Sequence, residues 1–91
     1  MRQVYKIFIL NNHTRVELLA FQQALAKRIR TLREEIGLRQ EDLEEYGVPW
    51  KTLQDVEYGK TDLKLSTLLK LAQAFRMTVS QLLNIDHPVT Q

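Results

Sequence analysis

Ninety-one residues with a mass of 10.7 kDa supply one modest hydrophobic core and exclude a second domain. The absence of cysteine excludes disulfide scaffolds and thiolate metal sites. The apolar run from Ile7 to Leu10 is far shorter than the about 20 residues a bilayer span needs, so the chain is expected to be soluble, cytoplasmic and without a membrane partner. A net charge of +2 is unevenly spread: residues 1–39 hold eight Lys/Arg against three acids, residues 40–91 five against eight. The basic half is the expected phosphate-facing side, although charge of this size is common on solvated surfaces.

In chain order, Val4, Tyr5, Ile7, Phe8 and Ile9 are β-branched or aromatic and favour a strand. A lone strand needs a partner, either the same strand of a second subunit or a groove on its own subunit. Residues 1–13 are therefore read as an N-terminal arm, with Asn11 and Asn12 turning into the first helix. Leu18, Leu19, Phe21, Leu25, Ile29, Leu32 and Ile36 recur at three- and four-residue steps and predict a helix from Thr14 to Glu35. Lys27, Arg28, Arg30 and Arg33 lie on its other face, Gly37 stops it, and Leu38 is expected to fold back onto the core.

Gln40 to Tyr46 predicts a two-turn helix with Leu43 and Tyr46 inward and Glu41, Asp42, Glu44 and Glu45 outward, closed by Gly47. Pro49 suits the first turn of the third helix, whose buried face is Val48, Leu53 and Val56, leaving Trp50, Lys51, Gln54, Asp55 and Tyr58 exposed. After a loop from Gly59 to Lys64, Ser66 is expected to cap a helix whose Leu65, Leu68, Leu69, Leu71, Ala72 and Phe75 are mostly core. Thr78 or Ser80 starts a last short turn ending at Leu82 and Leu83, and residues 86–91 form a frayed tail. The helical domain spans residues 14–85.

The stretch from Leu32 to Leu83 resembles the phage repressor and Cro type of helix-turn-helix regulator, the xenobiotic response element family. The likeness rests on Gln40 opening the second helix, the Gly47-Val48 joint, the Leu53, Val56-Glu57, Gly59-Lys60 ending, and the helix Thr67 to Ala72. With the first helix it covers about two thirds of the chain, from Ala24 to Leu83. The resemblance implies an all-α, five-helix, lambda-repressor-like fold here carrying the short N-terminal β-arm, with the third helix in the DNA major groove. It implies that Trp50, Lys51, Thr52, Gln54, Asp55 and Tyr58 form the DNA-facing surface, that Gln40, Lys60 and Lys64 hold phosphates, and that Arg33 and Glu57 form a structural salt bridge. The sequence departs from the family pattern in a joint one residue shorter, in Glu44 where a small residue is usual, in Leu63 for a loop proline, and in Arg76 for a glycine. Glu44 is expected to swing to solvent.

The chemistry of these residue types suits their implied roles. Lys51 can donate to guanine O6 and N7, Gln54 can bond adenine N6 and N7 or a phosphate, and Asp55 can accept from cytosine N4. Trp50 would pack on a thymine methyl or a sugar, whereas Asp55 repels phosphate unless it meets a cytosine amine. His13 and His87 have no ligand cluster around them and read as surface residues, and the leucine stripe reads as core, not a pocket. No nucleophile paired with a base, metal cluster or glycine-rich phosphate loop points to an enzyme or a cofactor. The expectation is a homodimeric, sequence-specific DNA-binding regulator, a repressor reading a pseudo-palindrome, with no separate sensor domain after Leu83. Its dimer surface is expected near Val79, Leu82, Leu83 and Ile85, or at the arm. The alternative from another class is a protein-interaction module such as an antitoxin or antirepressor, using exposed Trp50 and Tyr58 as anchors.

Overall fold

Leu25, Ala26 and Ile29 are buried along one stripe of the first helix, α1 (Asn12–Glu35); the third helix in the chain packs on α1, and the second packs on the third and fourth. The computed structural model describes residues 12–85, which form five helices: α1, a 3-10 helix η1 (Gln40–Tyr46), α2 (Trp50–Tyr58), α3 (Leu65–Ala74) and α4 (Val79–Leu82). The expected strand and arm before Asn12, and the tail at 86–91 with His87, lie outside the described residues. α1 starts two residues ahead of the expected Thr14. It ends as the sequence suggests, with Gly37 at φ +76° and the Leu38 N–H donating to the Arg33 carbonyl at 3.0 Å. That reversal sends Leu38 back onto the core.

The second helix is wound more tightly than expected. Its backbone closes three-residue steps, with Asp42 N–H donating to Arg39 O at 3.1 Å and Gly47 N–H to Glu44 O at 3.0 Å. Tyr46, expected inward, is 39% exposed and lines a shallow cleft with Ile36, Leu38 and Phe75, so Leu43 alone is fully buried from η1. Gly47 then takes φ +85°, a left-handed conformation that favours glycine there, while a Cβ would meet only the stem of Lys70 in ordinary contact at 3.4 Å. This turn delivers Val48, Leu53 and Val56 into the centre.

Pro49 sits at the cap position of α2, one residue before its first turn, and has no side-chain donor or acceptor to cap with. Glu44 supplies that function: its carboxylate accepts the Trp50 N–H at 3.2 Å, so it caps the helix start while remaining exposed. Ser66 is not the cap of α3; Lys64 holds that position, its carbonyl accepting from Leu68 N–H at 3.1 Å. Leu65 and Leu69, expected in the core, are 65% and 55% exposed, because α3 buries the face of Leu71, Ala72 and Ala74. Thr78 caps α4 through a reciprocal pair with Gln81, at 3.0 and 2.9 Å. Arg76 occupies φ +59°, the left-handed conformation that a glycine would take without cost. No helix among the described residues is long and apolar enough to cross a membrane.

Candidate nucleic-acid interface

Because Leu53, Val56 and Glu57 are held in the interior, the opposite face of α2 is turned out. Trp50, Lys51, Asp55 and Tyr58 are exposed on it, Tyr58 at 74%, while Gln54 and Thr52 are half-buried at its edges. Thr52 turns toward a hollow shared with Pro49, Ser66 and Lys70. The loop after α2 adds exposed Lys60, whose Nζ lies 5.4 Å from the Tyr58 ring centroid, and Lys64 follows at the start of α3. Gln54, Asp55 and Tyr58 border an open cleft with Arg30 and Gln40. Of the expected DNA-facing residues, Trp50, Lys51, Gln54, Asp55 and Tyr58 thus lie on the outward side of α2, while Thr52 turns aside.

A polar cluster fixes that surface from beneath. The Glu57 side chain, 3% exposed, accepts Arg33 Nε at 2.7 Å on Oε2 and Arg33 NH2 at 3.1 Å on Oε1. Paired N–H donors of this kind match a carboxylate in geometry as well as charge. The bond to Glu57 raises the Arg33 pKa above its ordinary value, so the guanidinium keeps its charge. Arg33 NH1 also donates to Leu38 O at 2.8 Å, tying the end of α1 to the same cluster. Gln40 Nε2 donates to Glu57 Oε1 at 3.0 Å. The role expected for Gln40 is a phosphate contact, and the amide nitrogen retains a second N–H beyond this internal bond.

The end of α2 is held by side chains that sequence reasoning did not single out for it. Arg30 NH2 donates to Glu57 O at 2.7 Å, and the Thr61 hydroxyl donates to Asp55 O at 3.0 Å, satisfying two of the carbonyls a helix leaves open. Arg30 and Arg33 stand one turn apart on the basic face of α1, which is the signal that could have linked them both to Glu57. At the opposite end of the motif, Arg39 holds the Asp42 carboxyl below the usual aspartate range by hydrogen bonds from its side chain and its N–H.

A profile of the helix-turn-helix family matches residues 29–82, more than half of the chain, and those bounds enclose the whole of η1, α2 and α3. The chain belongs to the helix-turn-helix family. The match is to the xenobiotic response element type of that family. The HTH-type transcriptional regulator DdrOP3 of Deinococcus deserti is 42% identical over 62 residues, which is 65% of this chain and 46% of that protein. The chain therefore spans about half the length of that curated relative. Within the matched residues η1 and α2 are the consecutive helices, with the joint at Gly47-Val48-Pro49 between them.

The four residues expected at a dimer surface separate. Leu82 is fully buried in the core of its own chain and has nothing left to offer a partner, whereas Val79, Leu83 and Ile85 are half-buried around it. Arg28, read from sequence as part of a solvated basic face, donates to Leu82 O and Gln81 O, both at 2.8 Å, and so clamps α4 onto α1.

Proposed function

We propose that this helix-turn-helix chain is a sequence-specific, double-stranded DNA-binding transcriptional regulator, acting as a dimeric repressor that occupies a pseudo-palindromic operator. The observation that carries the reading is the outward face of α2, which presents Lys51, Gln54 and Asp55 side by side on a helix anchored by Leu53, Val56 and the buried Glu57. Lys51 would donate to guanine, Gln54 to adenine or a phosphate, and Asp55 would accept from a cytosine amine, each good base contact contributing about 1–3 kcal/mol of discrimination. Trp50 would lie against a thymine methyl or a sugar. Gln40, Lys60 and Lys64 would bond phosphates on either side of the groove, with Tyr58 beside Lys60. Thr52, at the edge of α2, would reach the near strand. The Deinococcus relative, a transcriptional regulator by name, supports the same reading.

Repression would follow from occupancy, since a dimer seated on an operator competes with polymerase for the same duplex. Two copies are required because one α2 touches too few base pairs for useful selectivity. A second reading, a protein-interaction module, draws on exposed Trp50 and Tyr58 and on the acids Asp55 and Glu44 near the same face.

Titration of random and selected duplexes at several salt concentrations separates the two. DNA binding predicts log affinity falling linearly with log salt, by about 0.9 per phosphate neutralised. Lys60→Ala is expected to weaken all sequences alike and to lower the slope by about one, while Lys51→Ala relaxes preference at one operator position. Absence of duplex binding at low salt would reject the reading in favour of a protein partner.

A further inference from the structure

The second half of α1 carries three arginines, and two of them are spent inside the molecule. Arg28 gives Nε and NH2 to the carbonyls of Leu82 and Gln81, and Arg33 gives Nε and NH2 to the Glu57 carboxylate and NH1 to Leu38 O. Arg30 differs. Its side chain is 51% exposed, its NH2 donates to Glu57 O at 2.7 Å, and its Nε stands 3.7 Å from Glu57 Oε1, beyond hydrogen-bond reach. A guanidinium carries five N–H donors, so most of those on Arg30 remain for a ligand.

We infer that Arg30 and Gln40 together hold one phosphate of a DNA strand laid across the open cleft beside α2, an inference that rests on the DNA-binding reading above. The cleft has a volume of about 610 Å³, and Gln54, Asp55 and Tyr58 of the outward α2 face line it together with Arg30 and Gln40. A strand whose bases met that face would pass over these two side chains. Gln40 Nε2 donates at 3.0 Å to the same Glu57 Oε1 that Arg30 Nε approaches. One buried carboxylate oxygen thus gathers both residues, near enough for a single phosphate to meet Arg30 and the second N–H of the Gln40 amide.

Charge and geometry both favour an anion there. Arg33 and Glu57 cancel, which leaves the Arg30 cation as the surplus of the trio, and the other acids of the cleft, Glu34 and Asp55, are exposed to solvent that screens them. The planar guanidinium fork matches phosphate oxygens in paired bonds. Because Glu57 O already holds that fork, little rotamer freedom is left to lose on contact. The same bond ties Arg30 to the last turn of α2, so the phosphate would set how that helix sits in the groove, a positioning contact without base information.

Methylphosphonate scanning of a selected duplex, in which one phosphate at a time is made neutral, tests the assignment with the full chain. The wild type is expected to lose affinity at several positions, one of which in each half-site falls silent in Arg30→Gln and, at the same place, in Gln40→Ala. Arg30→Gln is also expected to weaken all sequences alike and to lower the slope of log affinity against log salt by about 0.9 per bound subunit. Arg30→Lys, which keeps the charge, is expected to restore the slope, and an unrestored slope would count against the contact. An Arg30 that only secures the end of α2 would lower the unfolding midpoint of Arg30→Gln and leave its slope and scan as in the wild type, which would overturn the inference. Different silent positions for the two variants would overturn it too, by giving each residue its own phosphate. Failure of the wild type to bind any duplex at low salt would instead reject the DNA-binding reading itself, and this inference with it.

Discussion

Glu57, at 3% side-chain exposure, is held from two other helices: Arg33 and Gln40 donate to its carboxylate and Arg30 to its carbonyl. A buried ion of this kind is costly to strip of its partner. Arg33→Met is therefore expected to lower unfolding stability by about 3 kcal/mol, read as a fall in urea midpoint, while a double Arg33→Met, Glu57→Leu variant recovers most of the loss. An unchanged midpoint in the single variant would show that Glu57 does not depend on the pair. The Arg33–Glu57 pairing was legible from the family resemblance. Arg30 could have been added to that pair from its place one turn before Arg33, whereas the bond from Gln40, 17 positions from Glu57, carries no local pattern. The same applies to Glu44, whose service to the Trp50 N–H depends on how tightly the chain turns at Gly47.

The helices were readable where one apolar stripe faced one core. α1, with Leu25 and Ile29, and α2, with Leu53 and Val56, follow that rule, and glycines at 37 and 47 mark stops that require a left-handed residue. α3 was harder, since Leu65, Leu68, Leu69 and Leu71 encircle it and composition alone does not say which face turns inward. η1 was readable as a two-turn helix but its tight winding was not, because seven residues bounded by two turns can close three-residue bonds with one buried anchor, Leu43. Arg76 exposes a local conflict between sequence and backbone. The left-handed conformation costs a non-glycine residue about 1–2 kcal/mol, and the extra freedom of glycine in the unfolded chain returns about 0.4–1 kcal/mol of that. Arg76→Gly is expected to stabilise the domain by about 1 kcal/mol, with a higher urea midpoint and an unchanged denaturant slope. A lower midpoint would mean that the Arg76 side chain contributes more than its backbone strain costs.

For the assembled molecule, the proposed dimer makes operator geometry the decisive measurement. Two α2 helices reading one face of B-DNA need half-site centres about 34 Å apart, one helical turn. Inserting about five base pairs between half-sites rotates one of them to the far side of the duplex, and affinity is expected to fall to that of a single half-site in a gel titration. Equal affinity for the native and lengthened sites would argue for independent monomers. Arg28 bears on how such an assembly would behave. It fastens the Leu82 and Gln81 carbonyls to the helix from which Arg33, five residues further along, fastens Glu57. One stiff rod thus carries both attachments, so a pull on the chain beyond Leu82 would tilt the proposed base-reading surface as a lever does, without first melting either end.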